Sequence, residues 1–72
     1  MQPRRAKRQQ QAYAFIRQFC VEHGYSPSVR EIAEGLGCPN STASIVVYLV
    51  EMRQRGMVTF ADGQPRTVRV VE

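Results

Sequence analysis

The sequence predicts a small α+β domain, three helices followed by a two-stranded antiparallel β-hairpin. Three observations carry this expectation. Apolar residues recur at helical spacing in three successive segments, glycines at 24, 37 and 56 close those segments, and beyond Gly56 the pattern switches to strict alternation. A chain of 72 residues makes one domain with little interior to spare for a substrate cavity, since such a domain buries only about 60% of its unfolded surface. With 43% hydrophobic and 22% charged residues it is too apolar to stay disordered, and no apolar run approaches a membrane span.

Residues 1–7, with Arg4, Arg5 and Lys7, read as a flexible basic arm, and residues 8–72 as the folded domain. From about Arg8, Ala12, Phe15, Ile16, Phe19, Cys20 and His23 follow one helical face, which Gly24 ends. Tyr25-Ser26-Pro27 is a turn. Ser28 with Glu31 three residues on is a capping box, so a second, short helix starts there with Val29, Ile32, Ala33 and Leu36 inward. Gly35-Leu36-Gly37 supplies its C-terminal stop.

Only Gly37, Cys38, Pro39 and Asn40 separate Leu36 from the next polar start, which forces a sharp turn. A third helix over about 41–55 is expected, capped by Asn40 or Ser41, stopped at Gly56, and buried through Ile45, Leu49 and Met52. The run Ile45-Val46-Val47-Tyr48-Leu49-Val50 has strand propensity. The flanking cap and stop decide for helix. Val58 and Phe60, then Val68 and Val70, alternate around an Asp62-Gly63-Gln64-Pro65 turn and form the hairpin.

Charge and motif content narrow the function. Ten Lys and Arg against six Asp and Glu leave +4, which favours a polyanionic partner without demanding one. Cys20 and Cys38 form no Cys-x-x-Cys pair, and His23 is the single histidine, so reduced thiols and no metal are expected. No carboxylate pair has a reason to be buried and the glycines form no phosphate-cradling loop, so no enzyme activity, cofactor or small-molecule substrate is expected. No apolar stretch follows the N-terminal cations, so a cytoplasmic location without membrane association is expected.

A short capped helix, a tight turn containing Gly37 and a second helix with a polar N-terminus make a helix-turn-helix, whose second helix enters the DNA major groove, and the hairpin behind it is a wing. Any helical hairpin with a glycine turn imitates the first part. The stretches Arg8-Gln9-Gln10, Phe15-Ile16-Arg17, Gly24-Tyr25-Ser26-Pro27-Ser28, Glu31-Ile32-Ala33 and Leu36-Gly37 carry more. Together with Leu49, Arg55-Gly56, Pro65-Arg66 and the alternating Val68 and Val70, they resemble the N-terminal DNA-binding domain of LexA-type repressors. That resemblance implies a winged helix-turn-helix that recognises an operator. Relatives of that type carry a second, self-cleaving domain that uses a serine and a lysine. This chain stops at Glu72, with Lys7 its only lysine, so the resemblance is to the DNA-binding part without the self-cleaving domain.

The expected function is sequence-specific binding of double-stranded DNA by a repressor-like transcriptional regulator that reads the major groove with helix 41–55. Asn40, Ser41, Thr42, Ala43, Ser44 and Val47 lie at the N-terminal part of the outward face; the amide and hydroxyls suit bases or phosphates, and Val47 suits a thymine methyl. No arginine lies there, which points to an A/T-biased or weakly selective site. Ser28 and Arg30 at the second helix, Arg66 and Arg69 in the wing, and Arg4, Arg5, Lys7 and Arg8 in the arm are candidates for the DNA backbone. The outward valines 46, 47 and 50 keep a rival open: a winged-helix protein-interaction module, as a homodimer or with a protein partner.

Overall fold

The computed structural model describes residues 4–61, 63–64 and 66–71, with side chains from Lys7 onward. Helix α1 spans Arg4–His23, α2 Val29–Gly35 and α3 Thr42–Gln54; strands β1 Val58–Thr59 and β2 Arg69–Val70 complete the chain. The order is the predicted one, and three helices with a two-stranded antiparallel sheet make a small winged helix-turn-helix.

Helix α1 starts about a turn earlier than its apolar pattern, at Arg4 and not near Arg8. Residues 4–11 contain no glycine, proline or β-branched residue, and such straight-chain side chains lose little freedom in a helix. The backbone of Arg4–Lys7 is therefore helical where an arm was expected. Residues 1–3 of that arm lie outside the described residues.

One core joins every helix to the hairpin: Ala12 and Ile16 from α1, Ile32 and Ala33 from α2, Ile45, Leu49 and Met52 from α3, and Val58 and Val68. His23, on the predicted apolar stripe, is exposed and packs its ring against Phe19 in a tilted pair, with centroids 4.1 Å apart. Where α1 crosses α2, a Cβ on Gly35 would run into the Phe15 ring, so the close approach of the two helices depends on that glycine. Both cysteines are free and half-buried.

The hairpin ladder is shorter than its alternation implies. Val58 pairs with Val70 and Thr59 with Arg69, and the Val71 N–H donates to the Met57 carbonyl at 2.9 Å. Beyond Thr59 a side chain takes over from the ladder: Thr67 Oγ1 accepts from the Ala61 N–H at 2.9 Å and donates to the Gln64 carbonyl at 3.2 Å. Arg66 next to it has φ 58°, which turns the returning strand out of pairing. Asp62 and Pro65 of the expected turn lie outside the described residues.

Candidate nucleic-acid interface

Local capping builds the two central helices. Ser28 Oγ accepts from the Glu31 N–H at 3.2 Å, and Glu31 Oε1 accepts from the Ser28 N–H at 2.9 Å, the reciprocal capping box the sequence predicts. At the other end of α2, the Cys38 N–H donates to the Ala33 carbonyl and the Gly37 N–H to the Glu34 carbonyl, with Gly37 at φ 77°. This Schellman pair needs a left-handed residue, and glycine adopts it without steric cost. It reverses the chain within four residues and sets α3 against α2. Gly56 closes α3 in the same way through Arg53 and Met52.

The start of α3 departs from expectation. Ser41 occupies the N-cap position with φ −112° and ψ 36°, and its side chain makes no cap hydrogen bond. Outside the extended region favoured by N-caps, its hydroxyl is not held over the first-turn amides. Asn40, Thr42, Ala43, Ser44 and Val47 are all exposed and Ser41 is half-buried. Ile45, Leu49 and Met52 turn inward. The N-terminal half of α3 thus presents a neutral outer face of small and β-branched side chains.

That face lies between two clefts. On the α1 side, Lys7, Arg8, Gln11, Ser41, Ser44 and Tyr48 line one. Arg8 is half-buried there and donates to the Leu36 carbonyl at 3.0 Å, which ties α1 to the end of α2. On the wing side, Arg30, Val46, Val50, Phe60, Arg66 and Val68 line the other. Arg30 is highly exposed and stands 3.6 Å from Glu34 across one helical turn, a contact of little energy at such a surface. Ser28 lines the same cleft, its oxygen engaged in the cap. Cations therefore stand on both sides of the neutral ridge.

Arg66 has a structural commitment that the sequence did not announce. Its guanidinium lies 2.7 Å from Glu31 Oε1, donates to the Ser26 carbonyl at 3.3 Å, and sits over the Tyr25 ring at 5.0 Å. The Ser28 backbone N–H first, and then Arg66, hold the Glu31 carboxyl below its ordinary value of 4.5. The wing is strapped to the cap of α2 by this contact. Arg53 secures the other strand, donating to the Phe60 carbonyl at 3.2 Å with its guanidinium 4.1 Å from the centre of the Phe60 ring.

The remaining predicted residues divide. Arg69 opens onto a separate cleft with Arg17, Cys20, Val21 and Tyr25, so the structure does not bring it beside α3. Arg4 and Arg5 belong to the first turn of α1, and their side chains lie outside the described residues. Sequence reading missed Gln11 and Tyr48 on the α1 side and the role of Gln9. Gln9 is buried, donates to Glu51 Oε1 at 2.9 Å and accepts from Arg55, joining α1 to α3. Its position one residue from the predicted helix start, before an apolar face was established, gave no local signal. Among the described residues no group of three His, Cys, Asp or Glu could hold a metal ion, and no helix is long and apolar enough to cross a membrane.

Residues 3–67 match the family described as LexA DNA binding domain. The chain is 39% identical over 62 residues to the LexA repressor of Syntrophomonas wolfei, covering 86% of this chain and 30% of that protein. It is 35% identical over 65 residues to the LexA repressor of Clostridium novyi, covering 90% and 31% respectively. Against the LexA repressor of Clostridium kluyveri the identity is 38% over 72 residues, or 100% of this chain and 35% of that protein. The chain thus spans about a third of the length of the relatives it matches. With the fold, the turn and the matched residues in agreement, this chain belongs to the LexA DNA-binding domain family.

Proposed function

We propose that this chain binds double-stranded DNA with sequence preference and serves a transcriptional repressor in the cytoplasm, with the N-terminal half of α3 in the major groove. One observation carries the reading: a neutral, outward helix face flanked on both sides by cations, Lys7 and Arg8 along one edge and Arg30 along the other. A duplex presents that pattern in negative, with base edges in the groove and phosphates on its rims. Asn40, Ser41, Thr42, Ala43, Ser44 and Val47 are the residues assigned to base edges. Lys7, Arg8, Arg30 and Ser28 are assigned to phosphates, joined by Arg4 and Arg5 from the same end of α1. Arg66 contributes by fixing the wing.

The exposed Val46 and Val47 favour a second reading, a surface that binds another protein or a second copy. A fluorescence anisotropy titration with random and A/T-rich duplexes at two salt concentrations separates the two. DNA binding that weakens steeply with salt is the expected result. Absence of binding at low salt, together with a concentration-dependent dimer that Val47→Asp abolishes, would replace it with the interaction module.

A further inference from the structure

The outer face of α3 lacks the usual means of reading bases. It offers no arginine, and its large apolar side chains left exposed are two valines, Val46 at 44% and Val47 at 49% exposure. At 100° per residue Val47 stands beside Ala43 on the ridge opposite Ile45, while Val46 and Val50 lean toward the cleft under the wing. Valine has no hydrogen-bonding group and a stiff, branched end. Among major-groove base edges, the apolar partner for such a group is the C5-methyl group, carried by thymine and absent from cytosine, adenine and guanine. Two half-exposed valines also fall far short of the roughly 800 Å² per partner that a stable protein interface buries. The cations on both edges of the ridge would be left facing that partner.

Resting on the DNA-binding reading above, we infer that Val46 and Val47 read C5-methyl groups, so that this domain discriminates thymine from uracil and 5-methylcytosine from cytosine. The preference belongs to the methyl group itself and not to A·T pairing. Burying one methyl against a valine is worth roughly a fourfold change in affinity, and two such contacts about fifteenfold.

The test compares the domain's affinity for a short alternating A·T duplex with that for the same duplex carrying deoxyuridine in place of thymidine. An alternating G·C duplex with and without 5-methylcytosine is measured beside it. Expected are binding about fifteenfold weaker to the uracil duplex and several-fold tighter to the methylated G·C duplex. The double variant Val46→Ser/Val47→Ser should lose both preferences, binding the thymine and uracil duplexes alike and the two G·C duplexes alike, and melt within a few degrees of the parent. Equal affinity of the parent domain for thymine and uracil duplexes overturns methyl reading while leaving DNA binding intact. Failure to bind any of the duplexes at low salt overturns the DNA-binding reading and this inference with it.

Discussion

Glu31 does two things at once with one carboxylate. It closes the capping box on the Ser28 amide, and it receives Arg66 from the wing at 2.7 Å. The first role was legible in the sequence, because a serine three residues before a glutamate at the head of an apolar stripe is a local signal. The second was not, because nothing local links residue 31 to residue 66. The carboxyl is held below 4.5 by the Ser28 amide first and by Arg66 after it. A folded-state pKa that is depressed contributes stability above the unfolded value, and that contribution is lost as pH falls through the lowered one. Urea unfolding followed downward from neutral pH should therefore show part of the stability disappearing below about pH 4.5. Glu31→Gln should be less stable than the parent at neutral pH and show a shallower decline in acid. An identical decline in both proteins would mean that Glu31 does not couple the cap to the wing.

At the scale of elements, three helices and a hairpin were legible because each helix has its own punctuation. Gly37 and Gly56 sit at the left-handed positions of two Schellman pairs. The ends of other elements were less legible. Arg4–Lys7 joined α1 through propensity alone, Ser41 left α3 without a side-chain cap, and Thr67 with Arg66 replaced ladder bonds that alternation had implied. Propensity also argued for a strand over residues 45–50, and the two conformations make opposite statements about Ile45 and Val47. In a strand both face the same way; in α3 Ile45 is fully buried and Val47 is half-exposed. Ile45→Ala should accordingly cost about 2–5 kcal/mol by leaving a cavity. Val47→Ala should stay within about 0.5 kcal/mol. Equilibrium urea denaturation of the two variants decides the matter, and similar costs at both positions would contradict the helix.

For the molecule as a whole, the question is how a charge of only +4 addresses a polyanion. The folded chain sorts its ten basic residues by task. Arg66 holds the wing to α2, Arg53 holds the Phe60 end of the hairpin, Arg55 bonds to Gln9, and Arg17 and Arg69 line a cleft apart from α3. Lys7, Arg8 and Arg30 edge the outward face of α3, and Arg4 and Arg5 lie on the same helix end as Lys7. This sorting was the least legible part of the site, since sequence alone ranks Arg66 and Arg30 as equivalent cations. If three to five groups neutralise phosphates, log K should fall against log salt with a slope of roughly −2.7 to −4.5. Lys7→Ala and Arg30→Ala should each flatten that slope by about 0.9 with little change in melting temperature. Arg66→Ala should do the reverse, lowering the melting temperature while leaving the slope within error of the parent. Anisotropy titrations across a salt series, paired with thermal melts of the same preparations, read both quantities. Should Arg66→Ala flatten the slope as much as Lys7→Ala does, its guanidinium must leave Glu31 for a phosphate when DNA binds, and the wing would be a contact in its own right and not a support.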